Sequence, residues 1–123
     1  DIIVPRLSKL YDTAPVGGPV GSPRFLNAVA EITTTLSPTQ LMNKMLEIEK
    51  ELGRDRRDKW EPRPIDLDLL LFGDQIISTQ ELIVPHPLMH ERRFVLEPLA
   101  EIAPDAMHPA MGVSIKDLLA ALE

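Results

Sequence analysis

"RPIDLDLLLF", residues 63–72, decides how the rest of the chain is read. Its apolar residues are those of a buried strand, yet Asp66 and Asp68 sit within it. Side chains of a strand alternate between its two faces. Ile65, Leu67, Leu69 and Leu71 then point one way, and Asp66, Asp68, Leu70 and Phe72 point the other. The two carboxylates become neighbours, roughly 6–7 Å apart at Cα from the strand rise. Like charges at that spacing repel and resist burial. A hard divalent cation removes the conflict, because Mg²⁺ takes oxygen ligands and is commonly held by one or two carboxylates together with substrate phosphates. Alone, D-x-D is a short motif, and two aspartates on a wet sheet edge account for it equally well.

The preceding residues shift that balance. "RDRRDKWEPR" (54–63) holds Arg54, Arg56, Arg57, Lys59 and Arg63, five of the 13 Lys and Arg in the chain. Arginine is suited to bidentate contact with phosphate. A carboxylate pair beside a cation cluster is the equipment of Mg²⁺-assisted phosphoryl transfer. The competing reading is a solvated loop, since Asp55, Asp58 and Glu61 partly neutralise it. Trp60, the single tryptophan, either serves as a lid element or packs the loop onto the sheet.

Around this centre the chain reads as one domain of mixed elements, 1–123. "IIVPRLSKLY" (2–11) reads as a strand whose early Pro5 places it near a sheet edge. "TAPVGGPVGSPR" (13–24), with three Pro and three Gly, is a loop, and "FLNAVAEITTTL" (25–36) is a second strand. "SPTQLMNKMLEIEKELG" (37–53) is the clearest helix. Ser37 and Gln40 form a capping box, Pro38 fits the first turn and Gly53 stops it. Its apolar stripe is Leu41, Met45, Ile48 and Leu52. Gly73–Asp74 is a turn, and "QIIS" and "ELIVPH" are short extended pieces. "LMHERRFVLEPLAEI" starts as a helix that breaks near Pro98, and Ser114 caps a last helix, "IKDLLAAL". Strands and helices without strict β-α-β alternation indicate an α+β sandwich with helices on one or both sheet faces.

Bulk properties exclude several classes. With 44% hydrophobic and 26% charged residues, 123 residues suffice for a buried core. A net charge of −6 argues against nonspecific binding to nucleic acid or anionic membrane. No cysteine means no disulfide framework and no thiolate metal site, which suits a reducing compartment. No apolar run reaches membrane-spanning length and no signal peptide is visible. There is no G-x-x-x-x-G-K-[ST] loop, no nucleophile elbow and no zinc pattern among His86, His90 and His108.

At this point a resemblance emerges. "PRPIDLDLLLFG" is similar to the signature of the 6-hydroxymethyl-7,8-dihydropterin pyrophosphokinases of folate biosynthesis. "VPHPLMHERRFVLEPL" resembles that family's second block, and "YDTAPVGGP" with "FLNAV" its pterin-binding region. The likeness covers essentially the whole chain, with the motifs in family order. It implies a ferredoxin-like α+β sandwich, an antiparallel-rich sheet with helices packed on its faces. It also implies transfer of pyrophosphate from ATP to the pterin hydroxymethyl group with release of AMP, using two Mg²⁺. By resemblance Asp66 and Asp68 hold the metals; Arg54, Arg56, Trp60 and Arg63 are catalytic; and Lys59, Leu69, His86 and Arg92 bind ATP. Thr13, Ala14, Pro15 and Val16 read the pterin edge, Asn27 hydrogen-bonds it, and Phe25 and Phe94 sandwich it. A flat heterocycle wants aromatic faces and an amide donor and acceptor, which agrees with these residue types. The resemblance further implies a cytoplasmic monomer, free or fused to or associated with neighbouring folate-pathway enzymes. Its partners are the two small substrates, with no nucleic acid and no membrane.

Three departures stand out. Glu61 replaces the small residue that commonly precedes this proline, and Pro87 follows His86 where an aromatic often helps hold adenine. Family members also open with a strand ending in Gly-Ser-Asn and a helix, so the expectation here, with Asp1 in place of Met, is an N-terminally incomplete domain. The remaining strands would then leave unpaired backbone. Two other readings compete with this one. A non-catalytic ferredoxin-like binding domain has no need of an intact D-x-D and arginine set. A different Mg²⁺-dependent nucleotidyl- or glycosyltransferase has no need of the pterin-type region at 13–27.

Overall fold

Two extended segments of the chain fold against each other as a long, kinked antiparallel hairpin. The computed structural model describes residues 2–13, 25–53 and 66–122. Each segment read as one strand is two: β1 (Ile2–Leu7) and β2 (Tyr11–Thr13), then β3 (Phe25–Asn27) and β4 (Ala30–Thr34). β1 pairs with β4 and β2 with β3. The breaks have visible causes. Pro5 cannot donate to a ladder, and the β1–β4 register shifts between Ile3 and Arg6, around it. Ser8, buried at 5% exposure, takes over where the pairs separate. Its N–H donates to Val29 O (2.8 Å), and its hydroxyl accepts from Val29 N–H (2.9 Å) and donates to Lys9 O (2.8 Å). A side chain therefore satisfies the backbone that the interrupted ladder leaves open.

The next element, α1 (Pro38–Gly53), has the expected bounds and cap. Gln40 N–H donates to Ser37 Oγ (3.2 Å), and Ser37 N–H donates to Gln40 Oε1 (2.9 Å), a reciprocal capping box. Leu41 is buried and Met45 and Ile48 half-buried, but Leu52, at the end of the expected stripe, is exposed. The strand expected over 65–72 needs correction. Residues 66–72 belong to no ladder. Single bonds hold them instead: Leu67 N–H to the Glu49 carboxylate, His86 N–H to Leu70 O (2.9 Å), and Gln75 N–H to Phe72 O (3.1 Å). The alternation is nonetheless real at its start, with Asp66 and Asp68 exposed and Leu67 and Leu69 half-buried. Gly73 makes the expected turn with φ +57°, and β5 (Ile77–Ser78) pairs with β6 (Ile83–Val84).

The C-terminal half supplies the core. A 3₁₀ turn, Met89–Glu91, leads into α2 (Arg93–Ile102). The helix was expected to break near Pro98, but Pro98 lies inside it. The proline forfeits one backbone bond, yet its ring is fully buried, and that burial offsets the loss. β7 (Met107–His108) and β8 (Val113–Ser114) form a hairpin that delivers α3 (Ile115–Ala120). Ser114 Oγ accepts from Asp117 N–H (3.3 Å), so it is the cap the sequence announced. Met89, Leu96, Leu99, Ile115 and Leu118 form the buried cluster, with Leu70 and Leu71 packed on it. The long hairpin is tied to the end of α2. Arg6 Nη1 donates to Ile102 O (2.8 Å), and Glu101 accepts from Lys9 N–H and from Tyr11 OH (2.8 Å). That hydrogen bond to Glu101, more than burial or the Glu101 and Glu97 charges, holds the Tyr11 phenol above its ordinary pKa.

The architecture is α+β with antiparallel pairing. The described residues form four two-stranded pairs rather than one continuous sheet.

Candidate active site

A cleft of about 180 Å³ opens between α1 and the aspartate segment. Met42, Met45 and Leu46 wall it from the helix, Leu67, Asp68 and Leu69 from the aspartate segment, and Leu82, Ile83 and His86 from the β6 side. The wall is mostly apolar, and Asp68, Glu81 and His86 bring polar groups to it. Three residues singled out in the sequence, Asp68, Leu69 and His86, thus meet at one cavity, although 16 positions separate Leu70 from the His86 that bonds it. Apolar walls with a few convergent polar groups are the usual make-up of a small-molecule site.

His86 is held at both ends. Its N–H ties it to Leu70, and its Nδ1 accepts from Leu88 N–H (3.3 Å). In the neutral ring that leaves Nε2 as the N–H donor. Arg92 follows the 3₁₀ turn in extended conformation (φ −115°, ψ 102°) and starts α2. Its guanidinium lies over the Phe94 ring at 5.7 Å, a cation–π contact. A residue expected at the nucleotide therefore touches one expected at the pterin.

Phe94 is half-buried on the first turn of α2, and α2 lies against β2 and β3. On that hairpin Asn27 faces Tyr11 in register and Phe25 faces Thr13. Asn27 and Phe94 consequently stand on neighbouring elements. Ala14, Pro15, Val16, Arg54, Arg56, Lys59, Trp60 and Arg63, with the side chains of Thr13 and Phe25, lie outside the described residues.

Whether Asp66 and Asp68 suit a divalent cation can be judged from the donors present. Both are exposed carboxylates on the same side of the local alternation, a hard-oxygen set appropriate to Mg²⁺. Among the described residues no group of three or more His, Asp or Glu side chains gathers for a metal. The two carboxylates fit a cation that takes further oxygen ligands from water and substrate.

One residue escaped the sequence reading. Glu49, on α1, accepts the Leu67 N–H between the two aspartates. Nothing in the local pattern marks it, since a glutamate on a charged helix is ordinary.

Comparison with known proteins places the chain in a family. The family model of 7,8-dihydro-6-hydroxymethylpterin-pyrophosphokinase matches residues 1–104, and the chain belongs to that family. A 2-amino-4-hydroxy-6-hydroxymethyldihydropteridine pyrophosphokinase of Bacillus subtilis is 50% identical over 101 residues, 82% of this chain and 60% of the relative. That of Pseudomonas aeruginosa is 47% identical over 115 residues, 94% of this chain and 70% of the relative. The folic acid synthesis protein fol1 of Pneumocystis carinii is 45% identical over 114 residues, 93% of this chain but 15% of that protein. The chain thus spans 60–70% of the length of these bacterial relatives.

Proposed function

We propose that this chain transfers the terminal pyrophosphate of ATP to the hydroxymethyl group of 6-hydroxymethyl-7,8-dihydropterin and releases AMP, in folate biosynthesis. The observation that carries the reading is the exposed Asp66–Asp68 pair with Asp68 and His86 on one apolar-walled cleft, in a chain of the pyrophosphokinase family.

The cleft takes the nucleotide, with Leu69 and the α1 methionines against the base and His86 Nε2–H donating to ATP. Arg92 and Lys59 meet its phosphates. Asn27 hydrogen-bonds the pterin, Thr13, Ala14, Pro15 and Val16 read its edge, and Phe25 and Phe94 stack on its faces. The Arg92 guanidinium on Phe94 sets the two substrates side by side. In the transfer the hydroxymethyl oxygen bonds to the β-phosphorus, the bond from that phosphorus to the α,β-bridging oxygen breaks, and the hydroxyl proton leaves to solvent. Arg54, Arg56, Trp60 and Arg63 close on the phosphates and exclude water. Two Mg²⁺ held by Asp66 and Asp68 would supply neutralisation of phosphate charge.

The finer architecture proposed is a ferredoxin-like sandwich, with residues 1–123 serving as a single domain. The setting proposed is a cytoplasmic monomer. The small share of the Pneumocystis protein that this chain spans supports fusion to further folate-pathway domains as one form it takes.

The test is incubation with ATP, Mg²⁺ and hydroxymethyldihydropterin. AMP is the expected nucleotide product, and excess EDTA abolishes its formation. ADP as the product, or full turnover in EDTA, rejects the reading.

A further inference from the structure

We infer that Glu49 is a positioning residue for the aspartate pair: by accepting the Leu67 N–H, its carboxylate fixes which face of residues 66–69 carries Asp66 and Asp68. The inference rests on the metal role proposed for that pair and assigns the means by which the pair is aimed.

Three observations lead there. First, the donated N–H belongs to the residue between the two aspartates. A bond at that point sets the register of both at once. A slip of one residue in extended chain turns every side chain to the opposite face, which here would send the aspartates toward α1 and the leucines to water. Second, a backbone tie on the far side of Asp68 fixes the other end of this stretch. The next backbone tie along the segment is Leu70 O, accepting from His86 N–H. Asp68 is thereby suspended between two fixed points, Leu67 and Leu70. Third, Glu49 stands on a stiff support. It is half-buried on a 16-residue helix closed at its start by a two-way capping box. A carboxylate accepting from a backbone N–H is a charge-assisted bond, stronger than a neutral one. Precise placement of metal ligands depends on such support from the residues behind them.

Glu49 has two simpler roles to be distinguished from this one. It can be a contact that merely packs helix against segment, or a third carboxylate whose charge serves the cation directly. Glu49→Ala and Glu49→Gln separate them. Glutamine keeps an oxygen that accepts the Leu67 N–H but carries no charge.

The probe is Mn²⁺ in place of Mg²⁺, titrated by electron paramagnetic resonance in the presence of α,β-methylene-ATP, on the full chain. Alongside it, the Mg²⁺ concentration for half-maximal AMP formation and the KM for pterin are measured. Glu49→Ala is expected to weaken Mn²⁺ binding and raise the Mg²⁺ requirement by roughly ten-fold, the loss that one hydrogen bond corresponds to. The pterin KM should hold, and Glu49→Gln should recover most of the cation affinity. Wild-type Mn²⁺ affinity in Glu49→Ala overturns the inference, and so does a Glu49→Gln variant as weak as Glu49→Ala. If Glu49→Ala fails to fold, the glutamine variant still decides: cation affinity near wild type supports positioning, and a ten-fold loss refutes it. The two readings fail separately. Wild-type chain that binds Mn²⁺ but forms no AMP tells against pyrophosphoryl transfer, whereas normal AMP formation with Glu49→Ala unaffected tells against Glu49 alone.

Discussion

Asp68 stands exposed at the rim of the cleft while Leu67 and Leu69 on either side of it are half-buried. Its charge is kept in water, where a carboxylate is well solvated, and remains available to a cation. Asp68→Ala is therefore expected to lower turnover by about 10²-fold or more, with pterin affinity and melting temperature nearly unchanged. A folded variant with near-normal turnover would remove the metal role. His108 shows the opposite placement. It is buried at 5% exposure, its Nδ1 accepts from Met111 N–H (3.2 Å), and its ring meets His90 edge-on at 6.3 Å. Glu91 in turn lies 3.4 Å from His90 Nε2. Burial first, then the His90 charge, lowers the His108 pKa below 6.5. The unfolded chain then binds more protons than the native one in the window between the lowered value and 6.5, so stability rises with pH there. The native state is at full strength above 6.5 and weakens as pH falls through that window. Urea midpoints at pH 7.5 and pH 5 should differ more for wild type than for His108→Phe; equal differences would show that another group sets the slope.

Local chemistry governs the helices. α1 and α3 each begin at a serine whose hydroxyl accepts an N–H three residues on, and both starts lie where the caps foretold. Ser37→Ala leaves a helix N–H unsatisfied and is expected to destabilise the protein by about 1 kcal/mol. Denaturant titration should register this as a lower midpoint with unchanged slope. A shift under a few tenths of a kcal/mol would mean that packing of α1, not its cap, sets its stability. The strands obey longer-range rules. Pro5 announces an irregular ladder, but that Ser8 and Val29, 21 positions apart, meet across it is a matter of long-range packing. Pro98 is the instructive reversal: its local signal says stop, and its burial beside Leu96 and Leu99 keeps the helix running.

Across the whole molecule, the buried cluster draws on the 3₁₀ turn, α2 and α3, and Leu70 and Leu71 of the aspartate segment pack against it. The site and the core thus share a segment, with aspartates at one end and leucines at the other. Leu96 is fully buried at its centre. Leu96→Ala removes that contact and opens a cavity, with an expected loss of about 2–5 kcal/mol, a large part of a small domain's stability. Thermal unfolding measures it, and a loss under 1 kcal/mol would indicate that neighbouring side chains collapse into the space.

By itself the sequence determined the helix α1 with its capping box, the Ser114 cap, the Gly73 turn, the mixed α+β class, the aspartate alternation and the family. Each of these depends on residues within a few positions of one another or on motif order, so the information is local. Only the tertiary structure decided that Asp68, Leu69 and His86 line one cleft with α1 methionines, that Arg92 lies on Phe94, that Pro98 stays helical, and that residues 66–72 are held by single bonds instead of a ladder. It also decided the part of Glu49. A side chain's partner across 18 positions is set by how elements pack, and no pattern within one element specifies which backbone N–H a helix carboxylate will meet.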